Sequence, residues 1–192
     1  MDLYQAPNRI HNFRVSFYPG KHKIELRDKK SYEHDWSYTI GLESYSKGPV
    51  LNKPRAHKSI RADYRKLVSV HENVIIDYNN SEDGVRQNFL ITNPPKGQEK
   101  LVLHLSINVL NLSPQLNEGG TIIEFYSVMN GDRVATYSDL NVFDNNGVKL
   151  KSSFVQSENG EFFIVVDDGN AAYPVLVDPL SRGDSVSGSS NS

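Results

Sequence analysis

The side chains able to do chemistry in this chain are carboxylates, histidines and aromatic rings, and cysteine is absent altogether. Without thiols there is no disulfide, no thiolate nucleophile and no Cys-ligated metal site. Acidic residues gather at Asp167, Asp168 and Asp178, at Asp144 and at Glu82-Asp83. Calcium takes about six to eight oxygens, which makes Asp167, Asp168 and Asp178 the candidate metal ligands. Their spacing matches no EF-hand loop. Asp167-Asp168-Gly169-Asn170 is also ordinary turn chemistry, in which Asp and Asn bond their own backbone and Gly tolerates positive φ. The competing reading is a turn with solvated carboxylates and no cofactor.

The histidines are His11, His22, His34, His57, His71 and His104. None are spaced as His-x-x-x-His or His-Glu-x-x-His, the patterns that place two imidazoles on one helical face. A zinc site drawing on His22, His34 or His71 would need the fold to assemble it. No Gly-x-Ser-x-Gly elbow marks a nucleophilic serine. Glycoside hydrolysis needs only two carboxylates at a set separation. The 23 acidic residues supply such a pair by number alone, so a carboxylate-pair hydrolase is an alternative without named catalytic residues. Trp36 and Tyr38 are the candidate ligand-binding residues, since an exposed ring stacks on a sugar as in a carbohydrate-binding module. Strand aromatics more commonly fill a core. Arg61, Arg65 and Lys66 could meet an acidic partner, against the plainer reading of a solvated surface.

The formal charge is -2, which lacks the basic surplus of a nucleic-acid binder. No apolar run approaches the roughly 20 residues of a membrane-spanning helix. Residues 1–7 have neither the basic start nor the apolar core of an export signal. The sequence as given therefore reads as cytoplasmic or as a domain parted from its signal.

The elements that must position these groups are strands. Phe13, Val15 and Phe17 alternate with polar residues, Tyr18-Pro19-Gly20-Lys21 turns, and Ile24 and Leu26 follow. Trp36-Ser37-Tyr38-Thr39-Ile40 alternates again. Residues 55–70 are the best helical window, although Ile60, Tyr64, Leu67 and Val68 fit strand spacing as well. Strand signals strengthen from Asn73, with turns at Asn130-Gly131, Asn146-Gly147 and Asn159-Gly160. Tyr and Phe among Val, Ile and Thr suit a pleated, half-buried surface. Short strands with regular turn signals predict an all-β, antiparallel sandwich of roughly ten to thirteen strands, as one unit or two packed sub-sandwiches. Residues 1–72 read as an N-terminal hairpin region of the same fold or a separate one, and 73–180 as the main sandwich. Residues 181–192 read as a disordered Ser/Gly-rich tail carrying Arg182-Gly183-Asp184, an integrin-type tripeptide.

Three segments occur in a suggestive order: residues 80–89 with Pro94-Pro95-Lys96-Gly97, residues 137–147, and residues 165–179. The last contains Asp167-Asp168-Gly169-Asn170-Ala171-Ala172-Tyr173-Pro174 and closes on Asp178-Pro179. Together with residues 8–27 they resemble the N-terminal β-rich domain of large exported bacterial proteins that continue into FG-GAP-type or other β-propeller-like repeats. The resemblance implies a non-catalytic structural or interaction module, secreted or at the cell surface, with a protein or glycan partner and repeats fused after it. It supplies no catalytic residues.

Overall fold

Apolar residues at alternate positions can be buried together only if the chain is extended and paired, because successive side chains of a strand point to opposite faces. A computed structural model describes residues 4–27, 35–55, 59–63 and 66–184. In order the strands are β1 (Tyr4–Asn8), β2 (Phe13–Tyr18), β3 (Lys21–Leu26), β4 (Ser37–Ser46), β5 (Ser59–Asp63), β6 (Lys66–Val70), β7 (Val74–Ser81) and β8 (Gly84–Ile91). They continue with β9 (Leu101–Leu110), β10 (Leu112–Leu116), β11 (Ile123–Ser127), β12 (Arg133–Phe143), β13 (Ser152–Gln156), β14 (Phe162–Val166) and β15 (Val175–Gly183). The window at 55–70 is strand wherever it is described, as β5 and β6. No helix among the described residues is long and apolar enough to cross a membrane.

The strands form two antiparallel sheets, ordered β1-β2-β3-β4-β9-β14-β13 and β10-β11-β12-β15-β8-β7-β6-β5. They pack face to face as an all-β sandwich. Phe13, Val15, Ile24, Tyr38, Ile40, Leu103 and Ile164 come from the first sheet, and Ile76, Tyr78, Phe89, Phe125, Tyr137 and Val177 from the second; all are fully buried. Tyr38 of β4 stacks on Phe125 of β11 across the layers, with ring centroids 4.1 Å apart. Each such side chain contributes on the order of 1.5–3 kcal/mol on burial.

Strands from either side of position 73 share both sheets: β4 pairs with β9, and β6 with β7. The sandwich is a single pair of sheets. The expected tail boundary at 181 moves, because β15 runs to Gly183 between β8 and β12. Ser181 is fully buried. Leu180, Ser181, Arg182 and Gly183 pair with Ser138, Tyr137, Thr136 and Ala135 of β12. Residues 185–192, with the rest of that tail, lie outside the described residues.

Strand directions fix which groups share an end. Phe13 begins β2 beside Gly183, while Gly20, just past its other end, sits beside His71. β1 is antiparallel to β2, so Tyr4 lies opposite Phe17 and Asn8 opposite Phe13. β15 starts opposite Ile91, which in turn pairs with Val74 close to His71. The chain thus enters β1 at the Gly20–His71 end and leaves β15 at the Gly183 end.

Candidate functional site

The two ring residues chosen from sequence are core. Tyr38 is fully buried and Trp36 is 8% exposed. Trp36 stacks on Tyr38 at 6.3 Å with planes 7° apart. A sugar platform needs a free ring face, and neither ring has one, because Tyr38 of β4 packs on Phe125 of the opposite sheet and Trp36, just before β4, stacks on Tyr38.

The three chosen aspartates go to separate partners. Asp167 is half exposed, with Lys100 Nζ at 3.6 Å. Asp178, on the outer face of β15, accepts from Arg86 Nη1 at 3.0 Å, and the same guanidinium donates to Asp139 at 2.8 Å. Burial raises the Asp178 pKa, opposed by Arg86. Asp139 occupies the left-handed region at φ 50°, where the β12–β15 register shifts between Ser138 and Asn141. A bulge re-aims side chains, and this one turns Asp139 onto Arg86. No group of three or more His, Asp or Glu side chains suited to a metal forms among the described residues.

Asp168 is the main departure from the solvated-turn expectation. The turn exists, since the Ala171 N–H donates to the Asp168 carbonyl at 3.0 Å. Its carboxylate is nonetheless sealed in, with its side chain 1% exposed and that of Lys47 12% exposed. Oδ2 accepts from Lys47 Nζ at 2.7 Å and from the Tyr173 hydroxyl at 2.7 Å. Oδ1 accepts from the Leu101 N–H at 3.0 Å. A buried carboxylate is tolerable only when paired and hydrogen-bonded in this way.

Sequence reasoning missed a polar cluster inside the core. His22 of β3 and Ser181 of β15 face each other across the sheets, Nε2 to Oγ 3.1 Å, and both are fully buried. Tyr137 donates to Gln87 Oε1 at 2.8 Å, and Gln87 Nε2 donates to the Tyr78 hydroxyl at 3.3 Å. The His22 ring meets Tyr78 edge-on at 5.6 Å. Burial pushes the His22 imidazole down to about 3. A serine beside a neutral imidazole is the start of a nucleophilic pair, but no substrate carbonyl can reach an Oγ with no exposed surface. The signal for His22 was present, because in β3 it alternates inward with Ile24.

The remaining histidines diverge. His11 approaches the Gly183 and Glu82 carbonyls, at 3.1 and 3.0 Å. His71 Nδ1 donates to the Arg55 carbonyl, so Nε2 accepts from Ser69 Oγ at 3.0 Å. A small cleft of about 170 Å³ adjoins it, lined by Tyr45, Asn52, Lys53, Arg55 and Glu72. His34 and His57 lie outside the described residues, as do Tyr64 and Arg65. On the outer face of the first sheet, His104 stacks on Phe163 at 4.7 Å. Beside this pair, Glu43, Ser106, Asn159 and Glu161 help line a shallow cleft of about 420 Å³.

No family model matches the chain, and no curated protein or solved structure matches it either.

Proposed function

We propose that the chain is a non-catalytic structural or interaction module of a secreted or cell-surface bacterial repeat protein. The observation that carries this reading is the chain path. β1 is entered at the Gly20–His71 end, and β15 is left at the Gly183 end after running centrally between β8 and β12. A unit entered at one end and left at the other sits in series between its neighbours. Tension then loads β1 against β2, and β15 against β8 and β12, along the strand axes. Hydrogen bonds perpendicular to antiparallel strands share such a load. The ionisable groups described above fit the reading, since Asp168, Asp178, His22 and His71 are engaged in packing ties.

Pulling the chain from its two ends in a single-molecule experiment tests the series role. The expected trace is one sharp rupture of the whole sandwich, whose rate reports the unfolding barrier. Gradual peeling at low force would overturn it. Fractionating the source bacterium with an antibody to the domain tests the location. Signal at the surface or in the medium is expected, and a cytosolic product counts against it.

A second reading, glycan contact, rests on one observation: Phe163 with His104 is an aromatic pair on an outer sheet face, flanked by Glu43 and Glu161. Glycan-array binding that is lost in Phe163→Ala and kept in Trp36→Phe is the outcome this reading expects.

A further inference from the structure

Lys47 and Asp168 stand 121 positions apart in the sequence and meet at the Gly20–His71 end of the first sheet. Lys47 directly follows β4, Asp168 lies just past β14, and Leu101 opens β9, the strand between those two. The ammonium nitrogen is 2.7 Å from Oδ2 in a nearly waterless site. Each oxygen of the carboxyl also holds a further donor, the Tyr173 hydroxyl on Oδ2 and the Leu101 N–H on Oδ1. Of the other pairs traced above, Asp167 with Lys100 is half exposed and 3.6 Å apart, and Asp178 with Arg86 is more exposed and offers a guanidinium, which is no nucleophile.

We propose that Lys47 and Asp168 condense into an intramolecular amide that covalently ties β4 to the segment after β14. The step needs no outside reagent. Passage of a proton from Nζ to Oδ2 across their 2.7 Å contact leaves a free amine facing a carboxylic acid. The amine then attacks Asp168 Cγ, the carbon bearing the Oδ2 that Nζ already contacts. Negative charge gathers on Oδ1, where the Leu101 N–H already points, as a backbone donor does in an oxyanion hole. Tyr173 gives its hydroxyl proton to Oδ2 and recovers one from Nζ. The Cγ–Oδ2 bond breaks, Oδ2 leaves as water carrying one proton from Nζ and the one given by Tyr173, and a secondary amide remains. The cross-link would close a long loop holding most of the sandwich, in a chain that has no cysteine for a disulfide. The inference stands whether or not the chain is a surface module.

Intact mass of the purified, denatured full-length chain decides the matter. The expected mass falls short of the sequence mass by one water, and a digest contains a branched peptide joining Lys47 to Asp168. Lys47→Arg keeps the cation but not the nucleophile, and should show the full mass. Tyr173→Phe removes only the proton relay and should slow the water loss at least about 100-fold, leaving a mixture early in expression. Asp168-Gly169 could also lose water as a cyclic imide, which Lys47→Arg would retain and hydroxylamine would cleave. A full-mass wild-type chain after prolonged incubation at neutral pH, or an equal deficit in Lys47→Arg, overturns the proposal.

Discussion

At the scale of single residues, the side chains with the strongest chemical signatures are spent on holding the sheets together. His22 gives the sharpest consequence. Folding keeps it neutral, with its pKa pushed from the usual 6.5 down to about 3 by burial. The unfolded chain takes up a proton below its ordinary value, so it binds more protons than the folded chain between those limits. The His22 contribution to stability is therefore full above pH 6.5 and declines as the pH falls toward 3, by at most about 1.4 kcal/mol per pH unit. Denaturant melts from pH 7 to 4 should show that decline in the wild type and a shallower one in His22→Leu; parallel curves would contradict it. Trp36 gives a second test. Truncating a buried indole stacked on Tyr38 should cost about 3–5 kcal/mol, read as a lower denaturation midpoint. Had Trp36 been a surface platform, Trp36→Ala would leave the midpoint nearly unchanged. What the sequence conceals here is pairing at a distance: alternation in β3 turns His22 inward, but nothing local announces Ser181 as its partner. The same holds for Asp168, whose turn is legible while Lys47 and Leu101 are not.

At the scale of elements, the alternating stripes were readable wherever both faces obey period two, as in β2, β7, β8 and β9. The readings fail where a strand breaks its own rule. β1 and β10 contain Pro7 and Pro114 and lie at sheet edges, where the missing donor costs no ladder bond. β12 splits in the sequence at Ser138-Asp139-Leu140 because a bulge interrupts the alternation there, although the strand is continuous. Edges of the first sheet are closed by groups from the second. Asn80 Nδ2 donates to the Pro7 carbonyl at 3.2 Å, and Asn8 Nδ2 donates to Asn80 Oδ1 at 2.9 Å. On the opposite edge the Phe154 N–H of β13 donates to the Gly120 carbonyl at 2.8 Å. Covering an edge prevents pairing with another chain. Asn80→Ala removes both of its ties to β1, at a cost of about 1–3 kcal/mol. Its signature should be local, with faster hydrogen exchange in the β1–β2 amides and unchanged protection in β8 and β15. Uniformly faster exchange would mean that Asn80 supports the whole sandwich and not this edge.

At the scale of the molecule, the C-terminal boundary carries the argument. Composition makes everything from Ser181 onward look like a linker, since Ser and Gly dominate and apolar residues are scarce. Yet the last third of β15 is interior. Ser181 faces His22, and Gly183 lies so near the His11 carbonyl that a Cβ there would sit 2.5 Å from it. The Asp184 carboxylate receives Arg133 Nε at 2.7 Å, and Arg182 Nε donates to the Asp83 carbonyl at 3.1 Å. Arg182-Gly183-Asp184 is therefore built into the end of a central strand and its side-chain ties, where an integrin-type tripeptide would have no mobile loop to present it. Ending the chain after Asp184 keeps every described contact and should leave the thermal midpoint within a degree or two. Ending it after Pro179 removes the β12 partners of Ala135, Thr136, Tyr137 and Ser138 together and strands His22 without Ser181. A buried imidazole and a row of ladder groups left unpaired cost about 1–3 kcal/mol each, which summed is comparable to the roughly 5–15 kcal/mol that a domain has in hand. The shorter chain should lose its cooperative transition, followed by circular dichroism on heating. A cooperative melt in that variant would mean that the eight-stranded sheet holds without the end of its central strand, and the series-load reading would then lose its anchor at the Gly183 end.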